Sequence, residues 1–141
     1  MTPYLHTVHY YETDRMGVAH HSNYVRWMEE ARVDFLSQLG FPYDRMEADG
    51  VVSPVVSLSC EYKRTTTFGD LVSVRVSVGA FDGAVVKFLY EMTDAAGALV
   101  FRGSSEHVFL GPGRRVLRLR RSMPEFAAAL DACLADKTGG A

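Results

Sequence analysis

The segment TDRMGVAHHSNYVRWMEEARVDFL, Thr13 to Leu36, carries the residues best suited to chemistry. A carboxylate, Asp14, ends a run of β-type residues, a loop containing Gly17 follows, and then come two histidines, His20 and His21. The loop feeds directly into an amphipathic stretch. A helix N-terminus presents unpaired N–H groups and the positive end of the macrodipole, which suits it to hold a developing oxyanion. One preorganised donor of that kind contributes about 2.7–4 kcal/mol to a transition state. A carboxylate folded back beside the same carbonyl can serve as base or nucleophile. Strand, acid, loop and helix thus supply both halves of an acyl-transfer site. The same spacing also suits an acid that simply lies favourably near the helix dipole, so spacing alone leaves both readings open.

The elements that must position these groups follow from periodicity. A helix is expected from Ser22 or Asn23, either of which can cap the first turn. Tyr24, Trp27, Met28, Ala31, Phe35 and Leu39 recur at three- or four-residue steps and form one apolar stripe. Arg26, Glu29, Glu30 and Asp34 fall mostly off it, and Gly40 supplies the stop. A first strand is expected over Leu5 to Glu12. From Val55 the period changes to two: Val56, Leu58, Cys60 and Tyr62 share a face, as do Val72, Val74, Val76 and Val78, then Val86, Phe88, Tyr90 and Met92. Leu99 to Leu110 repeats the pattern less cleanly, and Arg114 to Arg121 reads as a final strand. Short Gly- and Asp-rich turns between them favour antiparallel neighbours. Ser122 to Glu125 has the form of a capping box opening a short helix through Leu134. The order is α+β, in one domain over residues 1–136, with 137–141 expected to be a disordered tail. One helix covers one face of such a sheet, so a second copy of the chain, a homodimer at least, is expected to cover more.

Composition narrows the class. With 141 residues and a formal net charge of −2, the chain lacks the basic excess of a nucleic-acid binder. The N-terminus has neither a basic nor an apolar signal region, and no stretch is long and apolar enough for a membrane span, so a cytoplasmic protein is expected. Cys60 and Cys133 have no metal-ligand spacing and read as reduced, buried thiols. His6, His9 and His107 read as strand residues outside any ligand-like grouping, and no metal site is expected.

The segment TDRMGVAHHSNYVRWMEEARVDFLSQLG closely resembles the signature of hotdog-fold acyl-CoA thioesterases of the 4-hydroxybenzoyl-CoA thioesterase type. The resemblance rests on Asp14, Gly17, Asn23 and Tyr24, with Trp27 and Glu29 beyond, and extends more loosely to Tyr62-Lys63-Arg64 and Phe68-Gly69-Asp70. It implies a hotdog fold, an antiparallel sheet wrapped around one long central helix, and hydrolysis of an acyl-CoA thioester without a metal or organic cofactor. Coenzyme A is then part of the substrate. Asp14 takes the catalytic carboxylate position, Gly17 the loop geometry, and the His21 amide the position that polarises the carbonyl. His20 stands where relatives often have Tyr. Substrate contacts fall to His20, Tyr24, Lys63 and Arg64, and the His21 ring can orient substrate or water. Glu29 and Glu30, and the cluster of Arg114, Arg115, Arg118, Arg120 and Arg121, read more simply as solvated faces. The uncovered apolar face of the sheet points to a homodimer or homotetramer, and the thioesterase reading sets its sites at a subunit boundary. A non-catalytic acyl-CoA-binding or regulatory hotdog domain is the rival reading.

Overall fold

The structure is a computed structural model and describes residues 1–139, with side chains described to Leu134. Five strands, β1 (Tyr4–Thr7), β2 (Val55–Tyr62), β3 (Leu71–Phe81), β4 (Val86–Thr93) and β5 (Leu99–His107), form one sheet in the order β1-β3-β4-β5-β2. Every pairing is antiparallel. α1 (Ser22–Leu39) crosses the sheet, followed by the short α2 (Tyr43–Ala48), and α3 (Leu119–Ser122) and α4 (Pro124–Gly139) close the chain. This is the α+β order expected from the sequence.

The apolar stripe of α1 faces the sheet as its spacing requires. Tyr24, Trp27, Met28, Ala31, Phe35 and Leu36 are buried, and Leu39 packs against them from the rim. Opposite them stand Val72, Val74 and Val78 of β3, and Val86, Phe88, Tyr90 and Met92 of β4. Gly40 ends the helix with φ at 96°, and the Phe41 N–H reaches back to the Leu36 carbonyl at 2.9 Å. Only a residue without a Cβ takes that left-handed value without strain.

The core also holds a polar chain. The Tyr90 hydroxyl lies 2.7 Å from Ser105 Oγ, which lies 2.7 Å from His107 Nε2. Arg32, buried on α1, has the hydroxyls of Tyr90 and Tyr43 as polar neighbours. Burial, with the Arg32 cation beside it, pushes His107 down to about 3, so the imidazole is neutral at ordinary pH.

Three expected elements differ. The first strand stops at Thr7, and Tyr10–Glu12 forms a 3-10 turn because the Glu12 carboxylate accepts the His9 N–H at 2.7 Å and closes it. Arg114 to Arg121 is no strand: Gly113 (φ 76°) and Arg114 (φ 59°) turn the chain away, and Leu119–Ser122 coils as α3. Ser122 therefore closes α3 instead of capping α4, which opens on Pro124, a residue whose missing N–H costs nothing in a first turn. α4 continues past Leu134 to Gly139, into the stretch expected as tail, and residues 140–141 lie outside the described residues. Cys60 and Cys133 are half-buried.

β2 is one edge of the sheet, and its alternation does not bury a face within one chain. Val56 is 55% exposed, Leu58 47% and Tyr62 47%.

Candidate active site

Residues 13–19 form a tight reversal. Thr13 and Ala19 make an isolated antiparallel bridge, the Asp14 N–H donates to the Val18 carbonyl at 2.9 Å, and the Gly17 N–H to the Asp14 carbonyl at 2.9 Å. Gly17 sits at φ +80°, a conformation that costs other residues roughly 1–2 kcal/mol. Thr67 Oγ1 donates to the Gly17 carbonyl at 2.8 Å, and the Ala19 N–H to the Thr66 carbonyl at 2.7 Å, so the reversal is fastened to the chain after β2. Within it, Asp14 Oδ1 accepts the Met16 N–H at 2.8 Å. That bond fixes the carboxylate and leaves Oδ2 without a partner among the described residues.

The helix start differs in detail from the expected cap. Ser22 is already helical, and His20 Nδ1 accepts its N–H at 3.2 Å while lying 2.8 Å from Ser22 Oγ. Asn23, buried, turns its Nδ2 back to the Glu12 carbonyl at 2.8 Å. His21 directly precedes the helix with φ −56° and ψ −28°, and its N–H meets no acceptor among the described residues. An unpaired amide at the positive end of an 18-residue helix is an anion-seeking group.

Asp14 and His21 line the same cleft, of about 350 Å³, together with Tyr24, Tyr62, Lys63 and Arg64. The Tyr24 hydroxyl lies 2.9 Å from Thr66 Oγ1, and burial raises its pKa, so it stays protonated. Its ring meets Tyr62 edge-on at 5.3 Å and stacks on Phe101 at 5.3 Å. Lys63 Nζ lies 3.1 Å from Glu61 Oε2. Gly17 and His20 do not line the cleft: Gly17 shapes the reversal, and the His20 ring packs on His21 at 4.1 Å.

Glu29, Glu30 and the five C-terminal arginines lie outside the cleft. Glu30 accepts the Tyr4 hydroxyl at 2.7 Å, and Arg120 stacks over Phe81 at 4.7 Å while pairing with Asp131 at 3.0 Å. A second cavity, about 160 Å³, lies between α2 and Phe109 with a mostly apolar lining, and it shares no residue with the Asp14 cleft.

Two contributions were not legible in the sequence. Tyr62 reads there as one more residue of an alternating strand, flagged only by its place before Lys63-Arg64. His6, His9 and Glu12 read as separate strand residues, yet the 3-10 turn gathers their ligand-type atoms within 4.8 Å of one another. Hydrogen bonds account for the grouping: His6 Nε2 lies 2.8 Å from Glu12 Oε1, and the His9 N–H donates to the same oxygen at 2.7 Å.

A family model for the thioesterase-like superfamily matches residues 8–130. The chain superposes on a DHNA-CoA thioesterase from Staphylococcus aureus with TM-score 0.93 and 33% identity, covering 99% of this chain and 95% of the other. A Thermus thermophilus protein, TT1821, superposes with TM-score 0.86 and 35% identity, covering 94% and 99%. The Bacillus subtilis protein YneP, provisionally named as an acyl-CoA thioesterase, is 32% identical over 125 residues, 88% of this chain and 91% of that one. The fold is the hotdog arrangement of a sheet wrapped around α1.

Proposed function

Because the chain belongs to the thioesterase-like superfamily, we propose that it hydrolyses an acyl-CoA thioester to a carboxylic acid and coenzyme A. The observation that carries this reading is one cleft holding both a carboxylate with a free oxygen, Asp14, and an unpaired helix-start amide, His21. The names of the Staphylococcus and Bacillus relatives point the same way.

In this mechanism the thioester oxygen sits on the His21 N–H, where the helix dipole stabilises the charge that grows as the carbonyl is attacked. Asp14 Oδ2 either attacks the carbonyl carbon or takes a proton from the attacking water. In both routes the carbon–sulfur bond breaks and the thiolate of coenzyme A leaves, to be protonated; in the nucleophilic route a water then hydrolyses the Asp14–acyl anhydride, releasing the acid and restoring the carboxylate. Tyr24 and Tyr62 wall the acyl end, and His20 supports the His21 ring. Lys63 and Arg64 reach toward the phosphates. No metal or organic cofactor is required by these steps. Purified protein incubated with a panel of aromatic and aliphatic acyl-CoAs should release free thiol with at least one of them. Acyl-CoA binding with no thiol release across the panel would make this an acyl-CoA-binding domain instead.

The working unit in this reading is a homodimer or homotetramer, with copies meeting along the exposed β2 and the sites at the boundary. Light scattering at micromolar concentration checks it, and a stable, active monomer would sink the shared-site arrangement.

A further inference from the structure

The thioesterase reading uses Asp14 and His21 but leaves Glu12 unexplained. Glu12 is 5% exposed, on the turn two residues before Asp14. A buried carboxylate is costly unless its oxygens are paired. This one takes donors from three elements: His6 Nε2 on β1 at 2.8 Å, the His9 N–H in the turn at 2.7 Å, and Trp27 Nε1 on α1 at 2.7 Å. Its backbone carbonyl takes two more, the His20 N–H and Asn23 Nδ2, each at 2.8 Å. Burial alone would raise the carboxyl pKa. The hydrogen bonds from His9, His6 and Trp27 outweigh it and hold the group below its ordinary range.

The two ends of this residue point at the two halves of the site. The carboxylate anchors the turn that leads through Thr13 to Asp14. The carbonyl holds His20 and Asn23, the residues on either side of His21 and Ser22, and so sets where the unpaired His21 N–H lies. Resting on the thioesterase reading, we propose that Glu12 is a positioning residue that fixes the carboxylate of Asp14 and the amide of His21 in one geometry. It touches no substrate; it acts through the backbone. Misplacement of reacting groups by about an ångström costs on the order of 100-fold in rate, so such a brace is felt in turnover.

The test is steady-state hydrolysis by wild type, Glu12→Gln, Glu12→Asp and Trp27→Phe, with thermal unfolding of each. Glu12→Gln keeps the shape but sets an NH2 donor where the His9 or Trp27 N–H needs an acceptor. It should lower kcat by about 10- to 100-fold while KM stays within about threefold, because ground-state binding is untouched. Glu12→Asp keeps the acceptors and should recover part of that loss. Trp27→Phe removes one donor and should cost kcat several-fold in the same direction. The double variant Glu12→Gln/Trp27→Phe should be no slower than Glu12→Gln alone, the mark of one shared network. Folded Glu12→Gln with kcat within about twofold of wild type would overturn the proposal. Should Glu12→Gln not fold, Trp27→Phe decides: unchanged kcat overturns it. A wild type that releases no thiol refutes the thioesterase reading itself, whereas an active wild type with an indifferent Glu12 refutes only the brace.

Discussion

Tyr62, the last residue of β2, donates its hydroxyl to the His21 carbonyl at 3.2 Å. The sheet edge is thereby tied to the cleft residue whose N–H has no acceptor among the described residues, and the Tyr62 ring also meets His21 edge-on at 6.2 Å. Tyr62→Phe keeps the ring and removes the tie. A hydrogen bond of this kind contributes about 0.5–1.5 kcal/mol, so kcat should fall by roughly 3- to 10-fold. Steady-state kinetics at saturating acyl-CoA measures it, and unchanged turnover would show that β2 does not restrain the helix start.

Asp14→Asn retains a carbonyl oxygen for the Met16 N–H and so should preserve the reversal. It removes the charge that attacks or deprotonates. Turnover should drop by two orders of magnitude or more, the range a positioned base contributes, with folding and acyl-CoA binding much less affected. His21→Ala keeps the backbone amide and should be milder, within about tenfold. Near-normal turnover in Asp14→Asn would remove that carboxylate from the chemistry.

Phe35 is 6% exposed and meets Phe88 of the sheet edge-on at 6.0 Å. Phe35→Ala should lose about 3–5 kcal/mol of stability in denaturant unfolding. A loss below about 1 kcal/mol would contradict the packing of the helix face.

His107 makes folding sensitive to mild acid. Its folded pKa is about 3 against an ordinary 6.5, so the unfolded chain takes up a proton that the native chain refuses. Stability from this residue is therefore complete above pH 6.5 and is lost as pH falls toward 3. The slope approaches about 1.4 kcal/mol per pH unit. Glu12, whose pKa is lowered from 4.5, adds its own loss only below that value. Unfolding free energies between pH 6.5 and 5 should decline in wild type and decline less in His107→Phe, which keeps a ring and does not titrate. Parallel curves would refute the assignment.

The elements that obey a strict period were legible in the sequence: the stripe from Tyr24 to Phe35 is buried as read, and of the β3 alternation Val72, Val74 and Val78 are buried while Val76 is half-buried. Asp14 and His21, the residues singled out through the motif's resemblance, line one cleft. What failed was set by side chains acting at a distance. Glu12 ends β1 early by capping its own turn, which no propensity at His9 to Glu12 announces. The arginine run from Arg114 alternates like a strand, but Gly113 and Arg114 itself are left-handed and turn it away from the sheet. Val56 and Leu58 alternate correctly, yet a strand's place at the edge depends on the order of the whole sheet.

That edge has a kinetic side. β2 carries no lysine or proline within Val55–Tyr62 to repel a stray strand, and its ladder of backbone donors and acceptors is open along one side. Covering it by a like chain is a second-order event, slow at low chain concentration. Covering it by misfolded neighbours is also concentration-driven and of higher order. If copies pair along β2 as proposed, recovery of the protein from denaturant should have an optimum concentration: below it chains wait with the edge open, and above it they aggregate.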